Sequence, residues 1–164
     1  MTSPVSFRAS LQTPQDKSLH GIGYGNCLGV CVQHQMPTPF RRVGLPNSIF
    51  IVDDNSDIRA GIRRQLELLG FDVCGEALDG IDALDKLSRV RPDLIILDMS
   101  MPRMNGVDAA RELKHICPNV PVILYTAFAD VFRRKQVLPE GVSDVVAKGE
   151  NLLDRVIQSL QKAY

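Results

Sequence analysis

The sequence predicts an α/β fold: a doubly wound parallel sheet of five strands with five helices, for which the strand order 2-1-3-4-5 is taken over as a common winding. Three observations predict it. From Ser48 onward, strand-like and helix-like segments alternate five times in about 117 residues. The strand-like runs are short and continuously apolar, as strands covered on both faces are. Parallel neighbours also need crossover connections, and right-handed crossovers place helices on both sides of the sheet. In such a sheet the ligand crevice lies beyond the carboxyl ends of the strands where the winding direction switches, here strands one and three.

Each element has its own local reason. Ser48 to Val52 forms the first strand, ending in Asp53 and Asp54. A helix from about Ser56 to Leu69 follows, with Ile58, Ile62, Leu66 and Leu69 on one face. Asn55 or Ser56 caps it and Gly70 ends it. The second strand is about Asp72 to Glu76. Asp79 caps a helix from about Gly80 to Val90 that turns Ile81, Leu84 and Leu87 inward, and Pro92 stops it. Leu94 to Leu97 is the third strand and the most apolar run in the chain. Asn105-Gly106 starts a helix whose stripe is Val107, Ala110, Leu113 and Ile116, with Pro118 just beyond its end. Pro121 to Tyr125 is the fourth strand, and a weaker helix spans about Asp130 to Leu138. Asp144 to Ala147 is the fifth strand. The last helix, about Asn151 to Ala163, buries Leu152, Leu153, Val156, Ile157 and Leu160.

Residues 1–47 differ in composition. They hold five prolines, five glycines and much Ser, Thr and Gln, with no strand or helix period. A flexible N-terminal extension is expected there, with the folded domain at 48–164. The apolar stretch from Cys27 to Val32 is broken by Gly29 and lacks the charged lead-in of a signal peptide. Met36 offers an alternative start. Gly21-Ile-Gly-Tyr-Gly has no strand before it and no amphipathic helix after it, so a phosphate-loop reading is discounted. Cys27 and Cys31, flanked by His20 and His34, permit a zinc knuckle, yet their spacing is wider than usual and no second cluster exists. Free thiols in a reducing cytoplasm are the expectation. Cys74 and Cys117 read as small core residues.

Charge and hydropathy exclude two classes. Residues 1–47 carry four basic residues and one acidic, a net of +3, while the remainder carries 15 basic and 18 acidic, a net of −3. Neither balance suits a nucleic-acid surface, so no direct DNA binding is expected. No apolar run reaches about 18 residues, so no membrane span is expected.

The chemistry gathers on one rim. Asp53 and Asp54 leave the first strand and Asp98 leaves the third, its predicted neighbour. Thr126 leaves the fourth and Lys148 the fifth. A lone aspartate after a strand usually caps the next helix. Three acids, a hydroxyl and an ammonium at successive carboxyl ends form a site. Convergent carboxylates call for a divalent cation, and with it for phosphoryl chemistry.

These segments resemble the receiver domain of bacterial two-component response regulators. The matching pieces are Ile51-Val52-Asp53-Asp54-Asn55, Leu97-Asp98-Met99-Ser100-Met101-Pro102 with Asn105-Gly106, Tyr125-Thr126-Ala127, and Val146-Ala147-Lys148. Each motif alone is weak, but four in order over residues 48–164 make a strong match. The resemblance implies the flavodoxin-like receiver fold and a phosphorylation switch. It implies Asp98 as phosphoacceptor and as a Mg2+ ligand beside Asp54, a direct ligand, with Asp53 acting through a bound water. The backbone carbonyl of Ser100 completes the ligand set. Lys148 pairs with the phosphoryl oxygens and Thr126 hydrogen-bonds the attached group. The implied partners are a sensor histidine kinase or phosphotransfer protein and an unknown downstream protein. No output module and no enzymatic turnover beyond its own phosphorylation and dephosphorylation are expected.

The sequence also departs from the family pattern. Val145 stands three residues before the lysine, where relatives often carry an aromatic switch residue, so output is expected through backbone or fourth-helix movement. Gly149 follows the lysine where many relatives have proline. Phe128 and Ser100 replace more polar residues beside the path of attacking water, where they are expected to tune the acyl-phosphate lifetime. The alternatives are a phosphate-independent pseudo-receiver, a magnesium-dependent phosphatase and a flavin-binding carrier. The intact five-residue set argues against the first. A phosphatase would need an acid at Ser100, and the acidic loop after the first strand would repel a flavin phosphate.

Overall fold

The computed structural model describes residues 47–164. The glycine-rich segment, the Cys27/Cys31 pair and the expected flexible extension lie outside the described residues, Asn47 aside.

Five strands and five helices alternate along the described chain. They are β1 (Ser48–Val52), α1 (Ser56–Leu68), β2 (Asp72–Ala77), α2 (Gly80–Leu87), β3 (Leu94–Leu97), α3 (Gly106–Ile116), β4 (Val122–Thr126), α4 (Ala129–Lys135), β5 (Asp144–Ala147) and α5 (Leu152–Ala163). The strands form one parallel sheet in the order β2-β1-β3-β4-β5, as expected. Alternation along each strand sorts the core into two layers. Phe50, Val52, Ile95, Leu97, Leu124 and Val145 pack with residues of α2, α3 and α4. Ile49, Ile51, Leu94, Ile96, Ile123 and Val146 pack with α1 and α5. Burying each such aliphatic side chain contributes roughly 1.5–3 kcal/mol, so the sheet is anchored from both sides.

Side-chain caps set four helix starts. Asn55, Asp79, Asn105 and Asn151 each accept a backbone N–H from the first turn of the next helix. Such a cap contributes about 1 kcal/mol. The helix α4 has no side-chain cap.

The structure corrects several boundaries and faces. The helix α1 ends one residue earlier than predicted, and Leu69 is half exposed at its C-cap rather than inward. The helix α2 stops at Leu87, not Val90, and Ile81 is exposed; the buried face is Gly80, Ala83 and Leu87, a 3.6-residue stripe that leaves position 81 outside. The strand β4 is shifted by one residue, so Thr126 belongs to it. The helix α4 ends at Lys135, not Leu138, because Gln136 turns left-handed at φ +52°. Leu138 precedes Pro139, a position that disfavours helix. The strand β2 reaches Ala77 and carries a register irregularity opposite Ile49 and Phe50. There Gly75 is required, since a Cβ would stand 2.5 Å from the Phe50 ring.

Candidate functional site

The adjacent strands β1 and β3 deliver the acids. Val52 pairs with Leu97 across the two strands, so the residues that follow leave the sheet side by side. The Asp98 N–H donates to Val52 O at 2.8 Å and fixes that exit. Asp53 and Asp98 are buried, at 1% and 3% exposure, while Asp54 is exposed. One carboxylate oxygen from each of the three lies within 4.8 Å of the others.

Lys148 follows β5 and reaches past β4 to both buried acids. Its Nζ lies 2.8 Å from Asp53 Oδ2 and 3.0 Å from Asp98 Oδ1. Burial pulls the lysine pKa down, but the hydrogen bonds from Nζ to the two carboxylates outweigh it and hold the pKa above the ordinary value. The other oxygens of these acids are held too. Asp98 Oδ2 accepts from the Ser100 N–H at 2.9 Å, and Asp53 Oδ1 accepts from the Asn55 N–H at 2.9 Å. Both carboxylates are therefore fixed in rotation before any ligand arrives.

Thr126 is fully buried at the end of β4. Its Oγ1 accepts from the Phe128 N–H at 3.1 Å, which leaves the hydroxyl proton free to donate. Its backbone oxygen accepts from the Lys148 N–H at 3.0 Å, tying the two residues through the backbone. Ser100 is exposed and meets Asp98 through its amide. The structure thus joins Asp53, Asp98 and Lys148 by direct contact, sets Asp54 beside them, and attaches Ser100 and Thr126 through backbone groups.

Two supporting residues, Arg59 and Arg103, escaped the sequence reading, and a third, Gly106, was read only as a helix start. The Arg59 Nη1 donates to Asp53 O at 2.7 Å while its Nε donates to Glu76 Oε2 at 3.0 Å, so α1 braces the exit of β1. Gly106 lets the start of α3 press on the loop, since a Cβ there would stand 2.1 Å from Asp98 O. Arg103 donates through Nε to buried Asp79 at 2.7 Å. The glycine had a legible signal, as Asn-Gly before a helix. The two arginines had none, because their partners lie 17 and 24 residues away.

The donor set fits magnesium. Carboxylate oxygens are the hard ligands that Mg2+ takes, and one from each of the three acids lies close enough to the other two to share one cation. Three carboxylates facing one ammonium leave a formal excess of negative charge that a divalent cation matches. Among the described residues, no helix is long and apolar enough to cross a membrane.

Comparison with known proteins agrees with this geometry. A family model for the response regulator receiver domain matches residues 49–160. The chemotaxis protein CheY of Thermotoga maritima is 32% identical over 114 residues, covering 70% of this chain and 94% of CheY. The response regulator MprA of Mycobacterium sp. (strain KMS) is 35% identical over 121 residues, covering 72% of this chain and 52% of MprA. The chain thus spans about half the length of that relative. Among solved structures, the response regulator TrrA from Thermotoga maritima, in complex with Mg2+-BeF, superposes with a TM-score of 0.61 at 28% identity, covering 72% of this chain and 99% of TrrA. Four motifs in order, the 2-1-3-4-5 sheet, the acidic pocket at its switch point and the matching family model together place this chain in the response regulator receiver domain family of two-component systems.

Proposed function

We propose that this chain is a phosphorylation switch in which Asp98 accepts a phosphoryl group from a histidine kinase or phosphotransfer protein. The observation that carries the proposal is the contact of Lys148 with both Asp53 and Asp98 beside Asp54. An Asp98 carboxylate oxygen attacks phosphorus, the donor's P–N bond breaks, and the imidazole leaves with the bond's electron pair and takes up a proton. The product is an aspartyl phosphate. Asp54 directly, Asp53 through water, Asp98 and the Ser100 carbonyl would hold Mg2+, whose charge would make phosphorus electrophilic and offset the negative charge brought in. That TrrA was solved in complex with Mg2+-BeF supports magnesium as the cation here.

The other residues act through their own geometry. Ser100 N–H and Lys148 hold the Asp98 carboxylate in one orientation before transfer. Lys148 then follows the transferred group as a mobile point charge. The free Thr126 proton donates to a phosphoryl oxygen, and that pull reaches the Phe128 amide and the start of α4. Output emerges through α4 and its neighbours and reaches a downstream protein by direct contact, without DNA binding. Residues 48–164 are the switching unit and residues 1–47 an extension to it, in the cytoplasm.

The test is intact mass after incubation with Mg2+ and acetyl phosphate, with beryllofluoride binding followed by NMR. The wild type gains one phosphoryl mass and shifts amides of the β4–α4 loop, and Asp98→Ala does neither. A wild type that neither gains mass nor shifts with Mg2+ is a phosphate-independent interaction module instead. Turnover of diverse phosphate esters makes it a phosphatase.

A further inference from the structure

Outside the acidic pocket, one buried charge has no part in the chemistry so far. Asp79 is completely buried at the N-terminus of α2. Its Oδ1 accepts from the Asp82 N–H at 3.0 Å, as a helix cap. Its Oδ2 takes two guanidinium N–H groups of Arg103, Nε and Nη2, from the loop between β3 and α3. A buried carboxylate persists only when paired and hydrogen-bonded, and here its pairing charge comes from a residue of another loop.

Arg103 is itself held in an unfavourable conformation. Its φ is +63°, a region that residues with a Cβ rarely adopt. Glycine would sit there without strain, so the side chain must return something that glycine could not. Around it the same loop is pinned to α2 a second time. Met104 packs on Gly80 so closely that a Cβ at position 80 would stand 2.6 Å from Met104 Cγ. The loop held in this way runs from Asp98 to Asn105. Its near end carries Asp98 and the Ser100 amide that orients the Asp98 carboxylate.

We infer that Arg103 is a positioning residue, whose ion pair with Asp79 clasps the loop after β3 to the start of α2 and so holds Ser100 in place for metal binding and phosphoryl transfer. The inference rests on the reading of Asp98 as phosphoacceptor. Arg103 touches neither metal nor phosphate. It acts by limiting the positions the Ser100 carbonyl and amide can take, which lowers the ordering cost when ligand binds.

The experiment separates positioning from folding. Removing one partner strands a buried charge, so the informative variant is Asp79→Asn/Arg103→Gly, which removes both charges, keeps an amide oxygen to cap α2 and relieves the left-handed residue. Thermal unfolding, Mg2+ titration and beryllofluoride binding by NMR are measured on the full chain. The double variant is expected to melt within a few degrees of wild type yet bind Mg2+ and beryllofluoride about tenfold more weakly. Both Arg103 N–H groups meet a single oxygen, so Arg103→Lys keeps the ion pair and is expected within about threefold of wild type. A double variant that binds as well as wild type, or a lysine variant as weak as the double variant, overturns the assignment. A wild type that binds neither ligand overturns the phosphoacceptor reading first, and this inference with it.

Discussion

At the scale of single residues, Asp98 is defined by what restrains it. Lys148 and the Ser100 amide take one carboxylate oxygen each, and the backbone on either side is fixed by the Asp98 N–H bond to Val52 and the Gly106 N–H bond to Met99. Gly106 shows how tight the surroundings are. A Cβ there would meet the backbone oxygen of Asp98 at 2.1 Å, and backbone cannot rotate away. Gly106→Ala is therefore expected to destabilise by roughly 1–3 kcal/mol, as overpacking does, and to slow phosphorylation as Asp98 is displaced. Urea unfolding and the rate of acetyl phosphate labelling check the two parts. The sequence revealed this residue's role in starting a helix but not its contact, since the close approach joins residues of two elements.

At the scale of elements, α4 is the least secured helix. It has seven residues, no side-chain cap, and a non-glycine residue in the left-handed region at its end. Its surroundings expose Phe128, Val131, Val137 and Leu138. An element with few restraints opens at low free energy, which suits a segment that must shift on phosphorylation. Gln136→Gly should remove the left-handed penalty and stabilise the protein by about 1 kcal/mol, with slower amide exchange in α4. Unchanged exchange there would show that the helix end does not limit its opening. Val145, in place of an aromatic, is buried beneath this region. Tyr125 is nearby but is engaged elsewhere, its hydroxyl accepting from the Gly149 N–H at 3.3 Å.

At the scale of the whole molecule, the sheet is tied together by carboxylates with lowered pKa. Asp93 feels burial, which pushes its pKa up, but bonds from Ser48 and Asn47 outweigh this and hold it below the usual range. Asp79 is lowered in the same way: burial raises its pKa, while the Asp82 amide and Arg103 lower it further. A lowered folded pKa means the stabilisation is complete above the unfolded value near 3.8 and is lost as pH falls through the folded value. Stability should accordingly be flat with respect to these groups at neutral pH and fall steeply below about pH 4. Asp93→Asn should cost about 1–2 kcal/mol at pH 7 and flatten the acid limb, as read by urea midpoints across pH. Lys148 acts at the other end. Its raised pKa gives a contribution fully present below 10.5 and lost as pH rises through the folded value. Deleting residues 1–44 should leave phosphorylation intact by intact mass; loss of labelling would make the extension part of the working domain.

While the sheet order came from a known doubly wound winding, the sequence by itself determined the strand and helix alternation and the five residues on the rim. These are readable because period, caps and carboxyl-end placement are local patterns, each expressed within a few residues of chain. Only the tertiary structure decided which face Leu69 and Ile81 take, where α4 stops, and that Arg59 and Arg103 brace the loops bearing the acids. Those outcomes depend on partners brought close by the crossovers, such as Glu76 for Arg59 and Asp79 for Arg103. A charge pairs through space with whatever the fold sets beside it, and no pattern along the chain encodes that distance.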